Sequence, residues 1–397
     1  MRISMDCRYI RERPSGIGTY VQALLDRLPE LDPSASFQLW THPAARGTLA
    51  TRPGLSEVVV RAGANSPATL FWPARLVDLR GIDVLFAPFN LLGHGLHLPT
   101  VVTIHDLMWL LTPEACEGRS FLTPVQALFY RDGILRALRR ATRLVAISRA
   151  TADAIALVAP DALPKTRVIY HGVEPRFRPS SNRDALRNRL LARHQIEEYF
   201  LVVGQNAPSK NHGAILRAFA AARLDPKVHL VLVQRLYARR GPLLARGVPL
   251  DEQARALGVG ERVRFLSGLS GEEMVELIQG ALALVQYSRF EGFGMPALEA
   301  MACGTPVIAS NIPPLVEVLG GAGLHATLEP SSLVAALEQV ASSASFREEL
   351  RGRSLERARA FSWDRCAREH LEVLREAAGA SPCATVRKSW RGRTVRG

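Results

Sequence analysis

Lysine is almost missing. Only four lysines (Lys165, Lys210, Lys227 and Lys388) stand among fifty Lys and Arg residues, so arginine carries the formal charge of +13 on 397 residues. The arginines are dispersed, which leaves free use of arginine and attraction to acidic partners as equal explanations. The exception is "VRKSWRGRTVRG" at 386–397, with five basic residues and almost nothing to bury, as expected of a mobile tail. Each basic residue near an anionic leaflet is worth about 1 kcal/mol, so the tail is an expected point of contact with an anionic membrane surface. Cysteine is scarce as well. Cys7, Cys116, Cys303, Cys366 and Cys383 are odd in number and free of CxxC spacing, which argues against a disulfide framework or a zinc site and for reduced thiols. No apolar run approaches the roughly 18 residues of a membrane span. "MRISMDCRYI" has no signal-peptide apolar stretch or cleavage site. The expected location is cytoplasmic, or peripheral at the inner face of a membrane. No Asp-x-Asp cluster stands at a loop mouth, so neither a metal nor a cofactor is expected.

What is present is an alternation. Short β-branched runs, at 2–7, 83–88, 100–105, 143–148, 199–204, 229–234, 262–267, 282–287 and 305–310, are followed by longer amphipathic ones. Helical candidates include 18–28, 121–140, 149–158, 211–222, 271–280 and 331–341. Continuous apolar strands with interposed helices predict α/β parallel sheets covered on both faces. The strands are too many for one comfortable sheet, and prolines with a polar cluster interrupt the pattern in "HGVEPRFRPSSNRDAL" at 171–186. Two Rossmann-like domains on either side of that linker follow, with ligands between them at the carboxyl ends of the strands.

The most informative stretch is "LALVQYSRFEGFGMPALEAMAC" at 282–303. A buried strand leaves into a loop where Gly292 and Gly294 permit close backbone approach. Pro296 fits the first turn of a helix, which stops at Gly304-Thr305-Pro306. Strand, glycine loop and helix start make an anion site, but the dipole supplies only about 0.3–1 kcal/mol per charge, so a diphosphate also needs a cation. Glu299, one turn inside the helix, leans back toward the mouth. A carboxylate beside phosphate suits a hydroxyl pair such as a ribose, and Glu291, across the glycines, would face whatever lies beyond the phosphates. A ribose, a diphosphate and a hydroxylated group together describe a nucleotide sugar. Taken singly, Glu299 could only complement the helix dipole and Glu291 could be a solvated loop acid.

"EGFGMPALEAMACGTPVIAS" resembles the Glu-x7-Glu signature of the retaining glycosyltransferases of family four, and the likeness runs from "DCRYIRERPSGIGTYVQALL" (6–25) to "FSWDRCAREHLEVLREA" (361–377). It looks nearest to the bacterial branch with mannosyltransferases of O-antigen and exopolysaccharide assembly. The resemblance implies the two-domain GT-B fold. Residues 1–175 would form the acceptor-side domain and 176–362 the nucleotide-sugar domain. A C-terminal helix at 363–380 would pack back on the first domain, and 381–397 would be the basic tail. It implies transfer of a hexose, with GDP-mannose the favoured donor, to a saccharide or lipid-linked saccharide, and no nucleic-acid partner.

The remaining site expectations combine residue chemistry with that resemblance. Lys210, just before a helix in "VGQNAPSKNHGAILRAF", is a compact ammonium suited to clamp a phosphate, or else a solvated lysine. The family usually adds an arginine near it. Here Gln205, Asn206 and Ser209 stand instead, and Arg235 at the next strand end is the substitute considered. Gly294, Met295 and Ala297 would lend amides to the diphosphate, with Gly16 and Gly18 of "SGIGTY" beside it. The glycine pair alone is equally a flexible helix lead-in. His105 of "TIHDLMWL" ends a strand facing the cleft, and the resemblance places it near the reacting carbon. Taken alone, such a histidine is more often a satisfied structural residue than a catalyst. Asp106 would orient that loop, Ser148 would cap a helix and Gly172 would be a turn residue. Phe265, Leu266 and Ser267 match a backbone segment that meets the nucleobase. Glu291 and His105 are therefore the catalytic candidates, and Glu299 the ribose ligand. Two rivals remain: a nucleotide-cofactor oxidoreductase or epimerase, whose third glycine is missing, and a non-catalytic nucleotide- or polyanion-binding protein.

Overall fold

The structure is a computed structural model that describes residues 1–10, 15–113, 123–234 and 249–380. Cys116, Arg235, Cys383 and the basic tail lie outside the described residues. The first sheet contains β1 (Arg2–Asp6), β2 (Ser36–Thr41), β3 (Leu55–Val59), β4 (Val84–Ala87), β5 (Thr100–Ile104), β6 (Arg143–Ala146) and β7 (Thr166–Val168), in the order β3-β2-β1-β4-β5-β6-β7. The second contains β8 (Glu198–Val203), β9 (Val228–Val233), β10 (Val263–Leu266), β11 (Ala283–Gln286), β12 (Val307–Ser310) and β13 (Leu324–Ala326), in the order β10-β9-β8-β11-β12-β13. Every strand pair is parallel. These are two Rossmann-like sheets, as the alternating pattern predicts.

Each sheet reverses its strand order once, between β1 and β4 and between β8 and β11. Loops leaving the carboxyl ends of such a pair run in opposite directions and open a crevice. In the second sheet those loops carry Lys210, after β8, and Glu291, after β11. In the first they carry Gly16 and Gly18, after β1, and Asn90, after β4, with His105 following β5.

The chain crosses between the sheets twice, after β7 and again near Phe361. The two crossings touch at Gly172, where an added Cβ would lie 2.0 Å from the Trp363 nitrogen. Gly172 is therefore needed for close approach, not for a turn. The helix Trp363–Ala378 then packs Trp363, Cys366, Leu371 and Leu374 into one core with Ile3, Met5, Tyr20 and Leu24 of the first sheet's layer. A buried chain of hydrogen bonds fixes it there. His370 donates Nδ1–H to the Cys366 carbonyl at 2.7 Å, which leaves Nε2 to accept the Tyr20 hydroxyl at 2.6 Å. The Tyr20 oxygen lies 2.8 Å from Thr103 Oγ1.

Four strands depart from the sequence expectation. β3, β7 and β13 are sheet-edge strands of three to five residues, half exposed, and they lack a continuous apolar run. β2, "SFQLWT", is interior but carries Gln38, whose Oε1 accepts from Ser4 Oγ at 2.8 Å. Within the supposed linker, Asn182 caps a helix, Arg183–His194, through Ala185 N–H at 2.9 Å.

Candidate active site

The helix Met295–Cys303 starts at Gly294, whose φ of +106° is open to glycine and strained for other residues. Pro296 occupies its first turn, and Gly304, at φ +71°, ends it. Among the described residues the N–H groups of Gly294 and Met295 have no protein acceptor, as the first turn of a helix requires. The Ala297 amide differs from expectation, because it already donates to Gln286 Oε1 at 3.0 Å and is fully buried.

Glu291 sits at the mouth with 9% of its side chain exposed. Its Oε1 accepts three bonds: from Lys210 Nζ at 2.6 Å, Ser288 Oγ at 2.7 Å and Gln286 Nε2 at 2.8 Å. Oε2 receives none from the described residues. Burial alone would raise this carboxyl's pKa. The Lys210 charge and the three donors outweigh burial and hold it below the usual glutamate value. The cation expected on the diphosphate and the acid expected beyond it are thus one ion pair. A backbone bond from Arg289 N–H to the Ser209 carbonyl, 2.7 Å long, sets their two loops in register. Sequence reasoning missed Gln286, which bridges Glu291 to the Ala297 amide. It also missed Ser288 and the exposed Arg289.

Glu299 lies one turn inside the helix with no hydrogen-bond partner among the described residues. Burial pushes its pKa to about 8, against a downward pull from Arg176 and a further push from Glu174. That shift favours the neutral form near neutral pH. A neutral carboxyl can donate one hydrogen bond and accept others, and it does not repel a neighbouring phosphate.

The first domain presents His105. Its Nε2–H donates to the Pro88 carbonyl at 2.8 Å, and its backbone N–H donates to Asn90 Oδ1 at 2.7 Å. Asn90 Nδ2 reaches the Asp106 carbonyl at 3.0 Å, and Asp106 Oδ1 accepts Met108 N–H at 3.0 Å, so Asp106 does orient its loop. Burial lowers the His105 pKa to about 4, partly offset by the Pro88 bond, and the ring is neutral with Nδ1 as its lone-pair nitrogen. Gly292 brings the two halves together, because a Cβ there would stand 1.9 Å from the His105 carbonyl oxygen. The Gly292 carbonyl accepts Ser148 Oγ at 2.9 Å, while that oxygen also caps its own helix by accepting Thr151 N–H at 3.0 Å. Ser148 therefore does more than cap.

The other expected residues have these local settings. Gly18 N–H is taken by Ser15 Oγ at 2.9 Å, and a Cβ on Gly18 would lie 2.6 Å from the Tyr9 carbonyl oxygen. Gly16 begins the helix Gly16–Leu31 and has open space around it. Phe265 and Leu266 end the edge strand β10, Ser267 follows it, and the Leu266 carbonyl accepts Gln234 N–H at 3.0 Å. Among the described residues no group of three His, Cys, Asp or Glu side chains could hold a metal ion.

Both halves of the chain resemble known proteins. Residues 14–177 match the model described as Glycosyltransferase Family 4, and residues 184–359 match Glycosyl transferases group 1. An O-antigen chain mannosyltransferase B of Escherichia coli is 31% identical over 192 residues, 47% of this chain and 48% of that protein. An MMP alpha-(1->4)-mannosyltransferase of Mycolicibacterium hassiacum is 31% identical over 293 residues, 70% of this chain and 66% of that protein. A D-inositol 3-phosphate glycosyltransferase of Salinispora tropica is 33% identical over 294 residues, 70% of this chain and 59% of that protein. The chain thus spans about half to two thirds of the length of these relatives. Among solved structures, sucrose-phosphate synthase from Thermosynechococcus elongatus superposes with a TM-score of 0.75 at 19% identity, over 96% of this chain and 100% of that one. HepE of Anabaena, solved with UDP-glucose, gives 0.69 at 20% identity, over 95% and 100%. These likenesses establish the GT-B fold.

Proposed function

The chain belongs to the family-four glycosyltransferases, and on that premise we propose that it moves a hexose, with retention, from a nucleotide sugar to a saccharide or lipid-linked saccharide. The observation that carries this reading is the Lys210–Glu291 pair, 2.6 Å apart, at the start of Met295–Cys303 and at the β8/β11 crevice. Free amides and an ammonium together meet the charge of a leaving diphosphate, which grows as the glycosidic bond breaks. A donor phosphate would compete with Glu291 for Lys210. Glu291, still held by Ser288 and Gln286, would then face the sugar with Oε2. Glu299 would bind the ribose, and the neutral His105 would contact the transferred sugar near its reacting carbon. In this reading no metal or cofactor takes part.

The acceptor lies on the side of the first domain. The relatives named as O-antigen and other mannosyltransferases support mannose as the sugar, in cell-surface polysaccharide assembly, with GDP-mannose as the proposed donor. The inositol-phosphate relatives favour a second acceptor class, a phosphorylated cyclitol. No helix among the described residues is long and apolar enough to cross a membrane. A lipid-linked acceptor would be met at the cytoplasmic face of the membrane, with the basic tail of the sequence as an electrostatic contact. A thermal-shift screen across GDP, UDP and NAD(H), followed by turnover of the matching nucleotide sugars with each acceptor class, tests the assignment. Stabilisation by a nucleoside diphosphate is expected. Stabilisation by NAD(H) alone would replace this reading with the oxidoreductase.

A further inference from the structure

The helix Arg149–Val158 of the first domain has its start capped from the second. Arg149 N–H donates to Glu317 Oε1 at 2.7 Å and Ala150 N–H to Glu317 Oε2 at 2.9 Å. Glu317 belongs to Pro313–Leu319, which follows β12. Tyr170, on the outgoing crossing, adds its hydroxyl to Glu317 Oε1 at 2.8 Å. A helix start offers free amides and partial positive charge, so a carboxylate matches it on both counts. One residue away, Ser148 donates to the Gly292 carbonyl of the Glu291 loop. These bonds exist only while the two sheets face each other as they do here.

The groups assigned to the donor (Lys210, Met295 and Glu299) all belong to the second domain, whereas His105 belongs to the first. Donor binding therefore needs one half, and transfer needs both. We propose that Glu317, together with Ser148, is a positioning latch. It clips Arg149–Val158 to Pro313–Leu319 and to Gly292, and so holds the Glu291 loop against His105. Neither residue is assigned a contact with substrate. The catalytic consequence rests on the transferase reading, but the latch itself does not.

Glu317→Gln keeps the side chain's size, removes its charge and turns one acceptor into a donor facing an N–H. Tyr170→Phe removes one donor while keeping the ring. Losing two charge-assisted bonds should lower the closed population about tenfold or more. The test compares small-angle scattering of the wild-type chain and both variants, each checked for a cooperative melt, with GDP and UDP titrations and kcat. Glu317→Gln should scatter as a more extended particle and bind its nucleoside diphosphate within about threefold of wild type, with kcat lowered about tenfold or more. Tyr170→Phe should fall between, and it carries the comparison if Glu317→Gln does not fold. An unchanged scattering profile overturns the latch whatever the rates, and an opened variant with wild-type kcat overturns the positioning role. If the chain turns over no nucleotide sugar, scattering still decides the latch, and the transferase reading is what fails.

Discussion

Glu299 is the residue whose environment says most about its ligand. A carboxyl pushed to about 8 by burial favours its neutral, hydrogen-bonding form near physiological pH. In the proposed reading, its value to a ribose then lies in shape and hydrogen bonds, not charge. Glu299→Gln should keep nucleoside diphosphate affinity within about threefold, whereas Glu299→Ala should lose about tenfold or more, a difference that titration calorimetry resolves. Equal losses for both variants would mean that the charge matters. Residue chemistry and spacing single out both acids and Lys210 as candidates. The pairing of Lys210 with Glu291 was not legible, since they lie 81 residues apart and nothing local predicts three donors on one oxygen. Gln286, only five residues from Glu291, was missed because at the end of the strand run "ALVQ" it reads as an ordinary terminal polar residue.

The loop between β11 and Met295–Cys303 is one of the places where the halves meet. Gly292 is required there by contact, since a methyl would overlap the His105 carbonyl. Backbone on both sides must then shift, at a cost of about 1–3 kcal/mol for such overpacking. Gly292→Ala should therefore lower kcat about tenfold or more while nucleoside diphosphate binding survives. A variant with unaltered kcat would contradict the close packing of this loop on β5. The central strands were readable because burial on both faces demands continuous apolar sequence. The edge strands β3, β7 and β13 escape that demand and escaped notice, whereas the edge strand β10, "VRFL", keeps enough apolar sequence to be read. Gly172 shows the same limit, because its close neighbour, Trp363, is distant in sequence.

Across the whole molecule, burial keeps several histidines neutral. His105, His212 and His370 are each held at about 4, and His171 also lies well below the ordinary value of 6.5. Below pH 6.5 the unfolded chain takes up protons that the folded chain refuses. Their contribution is therefore complete above 6.5 and is lost as pH falls toward 4, at about 1.4 kcal/mol per pH unit for each group. Glu299, raised to about 8, works the other way and favours folding as pH falls from 8 toward 4.5. The histidines outnumber it, so the melting temperature should fall by about 5 °C or more between pH 6.5 and 5. A flat profile at constant ionic strength would mean that these rings are hydrated or paired.

The account as a whole stands on Glu291 facing the sugar of a donor whose diphosphate lies at the start of Met295–Cys303. The direct measurement is the initial rate of Glu291→Gln on the nucleotide sugar that the wild type turns over, alongside nucleoside diphosphate affinity. The account predicts a folded protein that still binds the nucleotide, with kcat lower by about a hundredfold or more. Turnover close to that of the wild type would contradict it.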